Sequence, residues 1–144
     1  MKNFTRVSVT ALLFLMTNAM QLGNAQVKQG KAANQDQIER GRYIVESVAM
    51  CERCHTPRDE NGNADRGRWL KGGPTQTRAT YPAPNWATVE PRIAGGPPGT
   101  DADFIKLLTT GIARTQQPPN PPMPQFHMTR QDAEAVLAYL KSLR

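Results

Sequence analysis

The segment "CERCH", Cys51–His55, constrains this chain more than any other part of its sequence. It holds both cysteines of the 144-residue chain, separated by two residues, and a histidine directly follows the second cysteine. This spacing occurs in three kinds of site: a thiol redox pair, one half of a zinc site, and a haem attached through two cysteines. Each kind of site makes a different demand on the rest of the sequence.

The zinc and thiol-redox alternatives lack the sequence context that they need. A structural zinc site has four ligands, usually in two pairs, but outside the motif the chain has no cysteine and one histidine, His127. A C-x-x-C redox pair usually follows a strand and opens a helix in a βαβ unit. Here the motif follows a predicted helix, from about Asp36 to Met50, and the sequence has no β-rich segment.

The haem alternative fits both the motif and the composition. In C-x-x-C-H the two thiols add to the vinyl groups of one porphyrin, and the histidine ligates its iron. Because Cys51, Cys54 and His55 fall within about one helical turn, all three can lie on one side of a helix. Only 6% of the residues are aromatic, and proline and glycine crowd the stretch from Gly72 to Pro124. A domain with so much loop needs extra stabilisation, so we predict one covalent haem c at this motif.

A second axial ligand for the iron has to come from elsewhere in the chain. Met50 adjoins Cys51 and cannot easily reach the opposite face of the haem. His127 and Met128 lie at the start of the last predicted helix, where their direction depends on the helix cap. Met123 lies in "PPMPQF", where flanking prolines reduce the entropy lost in holding a weak thioether ligand. We predict Met123 as the ligand, with His127 and Met128 as alternatives.

Two further helices are predicted from their caps and apolar spacing. Thr100 followed by Asp103 resembles a capping box, and Gly111 is placed to end the helix that they begin. Thr129 and Asp132 have the same relation at the start of the C-terminal helix, which has a clear apolar stripe. The remaining sequence is loop, with no internal repeat and no convincing strand.

The N-terminal residues predict export. Lys2 and Arg6 precede a short apolar run, and "GNA" offers a cleavage site, so we predict a signal peptide over residues 1–25. A flexible tail over residues 26–35 and a single domain over residues 36–144 follow, giving a soluble periplasmic protein without a membrane span. The net charge of +6 does not indicate nucleic-acid binding, since the basic residues are scattered and the chain is exported.

The chain resembles the class I c-type cytochromes at "CERCHTP", "WLKGGP", "PPMPQF" and "DAEAVLAYLKSL". It is especially similar to single-haem domains that serve as electron-accepting subunits or partners of periplasmic dehydrogenases, and the likeness runs from about Gln37 to Arg144. The resemblance implies a small all-α domain wrapped around one covalent haem, with crossed first and last helices. Gly41 and Tyr43 match the family's crossing in the first helix. Tyr139 and Leu140 match it in the last.

The resemblance also implies a function and further site residues. It implies outer-sphere transfer of single electrons between a donor and an acceptor redox protein, by a soluble carrier or a dehydrogenase subunit that is not itself an enzyme. In the family a proline carbonyl accepts a hydrogen bond from Nδ1 of the proximal histidine, and "GGP" assigns that role to Pro74. A dry haem pocket is expected to be lined by Trp86, Ile93, Phe104, Leu107 and Leu108.

The competing function is a haem enzyme of the peroxidase type, with a displaceable sixth ligand. Such an enzyme needs an acid–base group beside the open position of the iron. His127 is the only histidine available for that role, with Arg114 or Arg130 to assist it.

Overall fold

The computed structural model describes residues 34–143. The chain divides into two units, Met1–Asp36 and Gln37–Arg144. Of the first unit, only residues 34–36 are described, and they are helical. The predicted signal peptide and residues 26–33 of the predicted tail lie outside the described residues. Residues 34 and 35, which the sequence analysis assigns to that tail, are part of the helical stretch.

The second unit is built from helices joined by long loops, and the predicted all-α class is confirmed. Its helices are α1 (37–43), α2 (Glu52–His55), α3 (Asp101–Thr110) and α4 (Arg130–Ser142). The helix predicted to reach Met50 ends earlier, because α1 passes into a π-helical segment, Ile44–Val48. The second unit also contains a 3₁₀ turn, Arg66–Arg68, and one short antiparallel pair of strands, β1 (Gly73–Pro74) and β2 (Val89–Glu90). No helix in the described range 34–143 has the length and apolar character to cross a bilayer.

The ends of α3 and α4 lie where the sequence predicts them. The Thr100 hydroxyl accepts a hydrogen bond from the Asp103 amide (3.1 Å), and the Asp103 carboxylate accepts one from the Thr100 amide (3.2 Å). At the other end of α3, Gly111 adopts a left-handed conformation with φ of 70°. Thr129 caps α4 by accepting from the Asp132 amide at 3.1 Å. These bonds satisfy amide groups that have no partner within the helix.

Helices α1 and α4 cross at Gly41, as predicted. A Cβ at Gly41 would lie only 2.6 Å from the carbonyl carbon of Ala135, so the crossing requires glycine. Tyr139 and Leu140 are buried, but Tyr43 is 56% exposed, and its predicted place in the crossing is wrong. Residues two apart in a helix do not face the same side, which places Tyr43 away from the contact made by Gly41.

The loop that follows α2 is held by backbone hydrogen bonds around Leu70. The Leu70 amide donates to the Thr56 hydroxyl (2.9 Å), and the Leu70 carbonyl accepts from Ile93 and Ala94 (3.0 Å each). The Gly72 amide donates to the His55 carbonyl at 2.8 Å. These bonds bring the chain after β2 alongside α2, although more than thirty residues separate them in sequence.

Candidate functional site

The π-helical segment and α2 together position the C-x-x-C-H motif. The Cys51 amide donates to the Val45 carbonyl (2.9 Å), and the His55 amide donates to the Cys51 carbonyl (2.9 Å). Between them the chain turns at Met50, which has a positive φ of 48°. The single turn of α2 then places Cys51, Cys54 and His55 on the wall of one cavity.

This cavity has a volume of about 440 Å³. That volume is within the usual range for small-molecule and cofactor pockets. Four of the five residues predicted to line it do so: Ile93, Phe104, Leu107 and Leu108. Trp86 does not line it, and that prediction is wrong. Its indole Nε1 donates to the Thr77 carbonyl (3.1 Å), and its ring meets Tyr81 edge to face in the loop 75–88.

The imidazole of His55 is held by Pro91, not by Pro74. Its Nδ1 lies 2.8 Å from the Pro91 carbonyl oxygen, and a carbonyl only accepts, so Nδ1 carries the proton. Pro74 is unsuitable because it lies in β1, paired with Val89. Burial lowers the pKa of His55, and the bond to Pro91 opposes this only in part. The neutral ring therefore offers the Nε2 lone pair as a ligand at neutral pH.

The two cysteines are unsuited to thiol–disulfide exchange. Burial, followed by the charge of Glu52, raises the pKa of Cys51 to about 12. Burial also raises the pKa of Cys54, and the nearby Glu90 carboxylate adds to that effect. Redox-active thiols have a lowered pKa, because the thiolate is the reactive form. Within residues 34–143, moreover, no three His, Cys, Asp or Glu side chains are grouped in a way that could hold a metal ion.

All four predicted site residues border the same cavity, since Met123 joins the three residues of the motif there. Met50 and Met128 also border it, so the cavity wall holds three thioethers. His127 is exposed and is not part of the wall. The acid–base group of the alternative enzyme function therefore lies outside the cavity. Of the two arginines suggested to assist it, Arg114 borders the cavity, and Arg130 pairs with Glu134 (3.7 Å).

Two residues of the site, Glu90 and Pro91, were not predicted from the sequence. Both border the cavity, and Glu90 is only 6% exposed. No hydrogen-bond partner within residues 34–143 reaches its Oε2 atom, and burial raises the pKa of its carboxyl group. Neither residue belongs to a recognisable motif. The pairing of β1 with β2 and the hydrogen bonds around Leu70 bring them beside α2.

The residues of the cavity fit the predicted haem c. Two half-buried thiols and a buried imidazole lie on one helical turn, where they could attach a haem and hold its iron. The Nδ1 bond of His55 leaves Nε2 available, and no residue in the described part of the chain hydrogen-bonds to Nε2. Apolar side chains from α3 and α4 form much of the remaining wall, which suits the flat, apolar porphyrin.

Comparison with known proteins identifies one family and two relatives that are named as cytochromes. The sequence profile of the family described as cytochrome c matches residues 38–144. A diheme cytochrome c-type protein of Cereibacter sphaeroides is 31% identical over 125 residues, which cover 83% of this chain and 39% of that protein. The fructose dehydrogenase cytochrome subunit of Gluconobacter japonicus is 29% identical over 113 residues, covering 75% of this chain and 22% of the subunit. The chain thus spans well under half the length of both relatives.

Proposed function

Because the chain belongs to the cytochrome c family, we propose that it carries single electrons by outer-sphere transfer through one haem c. Cys51 and Cys54 would attach the haem covalently, and His55 would hold its iron. One observation carries this proposal: the three side chains border a single apolar cavity from one turn of helix. When bound, the haem supplies an iron centre that gains or loses one electron.

The surrounding residues orient the proximal ligand and keep water away. The Pro91 carbonyl accepts a hydrogen bond from Nδ1 of His55, which fixes the ring and increases the basicity of Nε2. Phe104 and Leu108 are buried in the wall formed by α3, and Leu140 is buried in the wall formed by α4. A dry, apolar wall disfavours the additional charge of the oxidised centre and so raises its reduction potential.

Met123 would supply the second side chain that holds the iron. It borders the cavity from a loop that holds Pro121, Pro122 and Pro124, and its amide donates to Asn120 in a turn (3.2 Å). Such a loop loses little entropy when its methionine is held in place. Iron with both axial positions filled has no open position for a substrate, which favours electron transfer over catalysis.

We further propose that the chain works outside the cytoplasm, in the periplasm. The signal-peptide pattern of residues 1–25 supports export. The chain then serves either as a soluble carrier or as the electron-transfer part of a dehydrogenase, between a donor and an acceptor redox protein. One relative named as a dehydrogenase cytochrome subunit supports the second arrangement.

Mass spectrometry tests the covalent attachment. The full chain, expressed together with a haem-maturation system, is expected to retain the mass of one haem after denaturation. The double variant Cys51→Ala, Cys54→Ala is expected to lose it, because no thioether bond can form. A wild-type chain that lacks the additional mass under these conditions would refute the proposed function.

A series of methionine-to-leucine variants tests the axial ligand, since leucine fills a similar volume without a thioether. Met123→Leu is expected to abolish the near-infrared band typical of ferric thioether ligation, and to let carbon monoxide bind the reduced form readily. Met50→Leu and Met128→Leu serve as matched controls from the same cavity wall and should retain the band. Loss of the band in Met128→Leu and its retention in Met123→Leu would reassign the ligand.

A further inference from the structure

Glu90 is a buried carboxyl group that forms no salt bridge with any residue of the described range 34–143. It ends β2, directly before the proline that holds His55, and it borders the cofactor cavity. The residue is 94% buried, and its Oε2 atom has no hydrogen-bond partner among the described residues. A buried polar group normally has a partner, because leaving it without one costs free energy.

The groups that face Glu90 leave it without a close ion pair. From the segment after α2, Arg58 is the only cation whose charge acts on it, and the two form no salt bridge in residues 34–143. From α2, the sulfur of Cys54 is near, and β1 contributes only Gly73 and Pro74, neither of which titrates. Burial raises the pKa of Glu90 more strongly than Arg58 lowers it.

Two further ionisable groups, His55 and Arg92, are connected to the segment that holds Glu90. His55 is connected to the residue after Glu90 by its Nδ1 hydrogen bond, and it is neutral because burial lowers its pKa. Arg92 follows two residues later, and its guanidinium Nε donates to the Ala94 carbonyl oxygen at 2.7 Å. Asp103 and Arg114 also border the cavity, and the Asp103 carboxylate accepts a hydrogen bond from the Thr100 amide at the start of α3.

We propose that Glu90 is a proton-binding site coupled to the redox centre: its carboxylate takes up one proton from solvent when the centre accepts one electron, and releases it when the electron leaves. The electron comes from the donor redox protein, which is oxidised, and an O–H bond forms at Glu90. The net charge of the cavity is then unchanged by reduction. This inference rests on the proposed function, because it requires a one-electron centre in the cavity.

The sign of the coupling follows from electrostatics. An added electron makes the cavity more negative and so strengthens proton binding by a carboxylate in its wall, where the low dielectric keeps the interaction strong. The coupling is reciprocal, so a bound proton also makes reduction easier. The reduction potential should fall as pH rises between the pKa of Glu90 in the oxidised state and its higher pKa in the reduced state. Outside that window, Glu90 contributes no pH dependence.

Potentiometric titration of the full-length, haem-loaded protein across pH tests the proposal. If reduction strengthens proton binding tenfold, the potential at low pH exceeds that at high pH by about 59 mV, the one-electron equivalent of a factor of ten. Glu90→Gln, which keeps the shape of the side chain, is expected to remove this component. Glu52→Gln is the matched control, because Oε2 of Glu52 is also buried without a partner but faces a second pocket, beside Arg53 and Arg58.

Equal pH dependence in wild type and Glu90→Gln would overturn the inference, as would its loss in Glu52→Gln alone. A second measurement needs no variant. The infrared difference spectrum, reduced minus oxidised, should show the carbonyl stretch of a newly protonated carboxyl group at a pH inside the window, and its absence would also overturn the inference. Covalent haem with a potential that ignores Glu90 refutes only this inference, whereas a chain without covalent haem refutes the proposed function as well.

Discussion

The substitution Gly41→Ala tests the closest approach between α1 and α4. An added Cβ would lie 2.6 Å from the carbonyl carbon of Ala135 and 2.8 Å from Cβ of Tyr139. The first of these atoms belongs to the backbone and the second is the root of a buried side chain, so neither can move without shifting α4. The helices must therefore separate to admit the methyl group.

Two opposing effects determine the size of the change. Alanine favours a helix over glycine by about 1 kcal/mol. Overpacking costs about 1–3 kcal/mol, and the upper end applies here because the obstructing atoms are fixed. The net loss in the free energy of unfolding is then about 2 kcal/mol. For a unit of this size, that loss lowers the melting temperature by about 8 °C.

Thermal unfolding of the haem-loaded protein, followed by far-ultraviolet circular dichroism, measures this loss. The control is Gly67→Ala, where the new Cβ would lie 3.2 Å from Oδ1 of Asp65, a side-chain atom that can move. We expect the control to stay within about 0.5 kcal/mol of wild type. If Gly41→Ala instead melts at or above the wild-type temperature, the gain in helix propensity has exceeded the steric cost, and the tight crossing is refuted.

Two other predictions concern the stability of the domain. Arg40 donates a hydrogen bond to Asp132 (2.9 Å) and is the main cause of the lowered pKa of the Asp132 carboxyl group. The bond therefore stabilises the fold at pH values above the ordinary pKa of aspartate. This stabilisation is lost as the pH falls through the lowered pKa of Asp132. Arg40→Gln should therefore reduce the free energy of unfolding measured with urea at pH 7 by about 1 kcal/mol or less, and match wild type in acid. An equal loss at both pH values would contradict this. The double variant Cys51→Ala, Cys54→Ala should lack a cooperative thermal transition, since the haem supplies much of the core, and a sharp transition would show that the polypeptide core is sufficient.

The features that the sequence predicts correctly depend on short-range chemistry. Thr100 and Thr129 cap helices because each lies three residues before an aspartate, and Gly111 ends α3 because glycine tolerates a positive φ. The motif residues reach one cavity because a single helical turn places them there. In each case the cause lies within a few residues of the effect.

The errors involve contacts between distant parts of the chain. Pro74 belongs to the "GGP" pattern and Pro91 to no motif, yet in the assembled fold it is the Pro91 carbonyl that meets His55. Trp86 is predicted to line the haem pocket, yet it packs within its own loop, against Tyr81. Glu90 carries no sequence signal at all, because its importance comes from burial, which only the assembled fold determines.

The pairing of β1 with β2 has a consequence for how such a chain can change during evolution. The loop 75–88 begins and ends at this pair, which is extended by a bond from the Thr75 amide to the Thr88 carbonyl (3.0 Å). Residues can therefore be inserted or deleted between Thr75 and Ala87, whose amide donates to the Pro121 carbonyl (2.7 Å), while Pro91 keeps its place beside His55. Because the entropy of loop closure grows by only about 0.6 kcal/mol for each doubling of length, such changes cost the fold little. The loop is thus a region where descendants of this chain can acquire new surfaces for new partners while the ligand geometry is inherited unchanged.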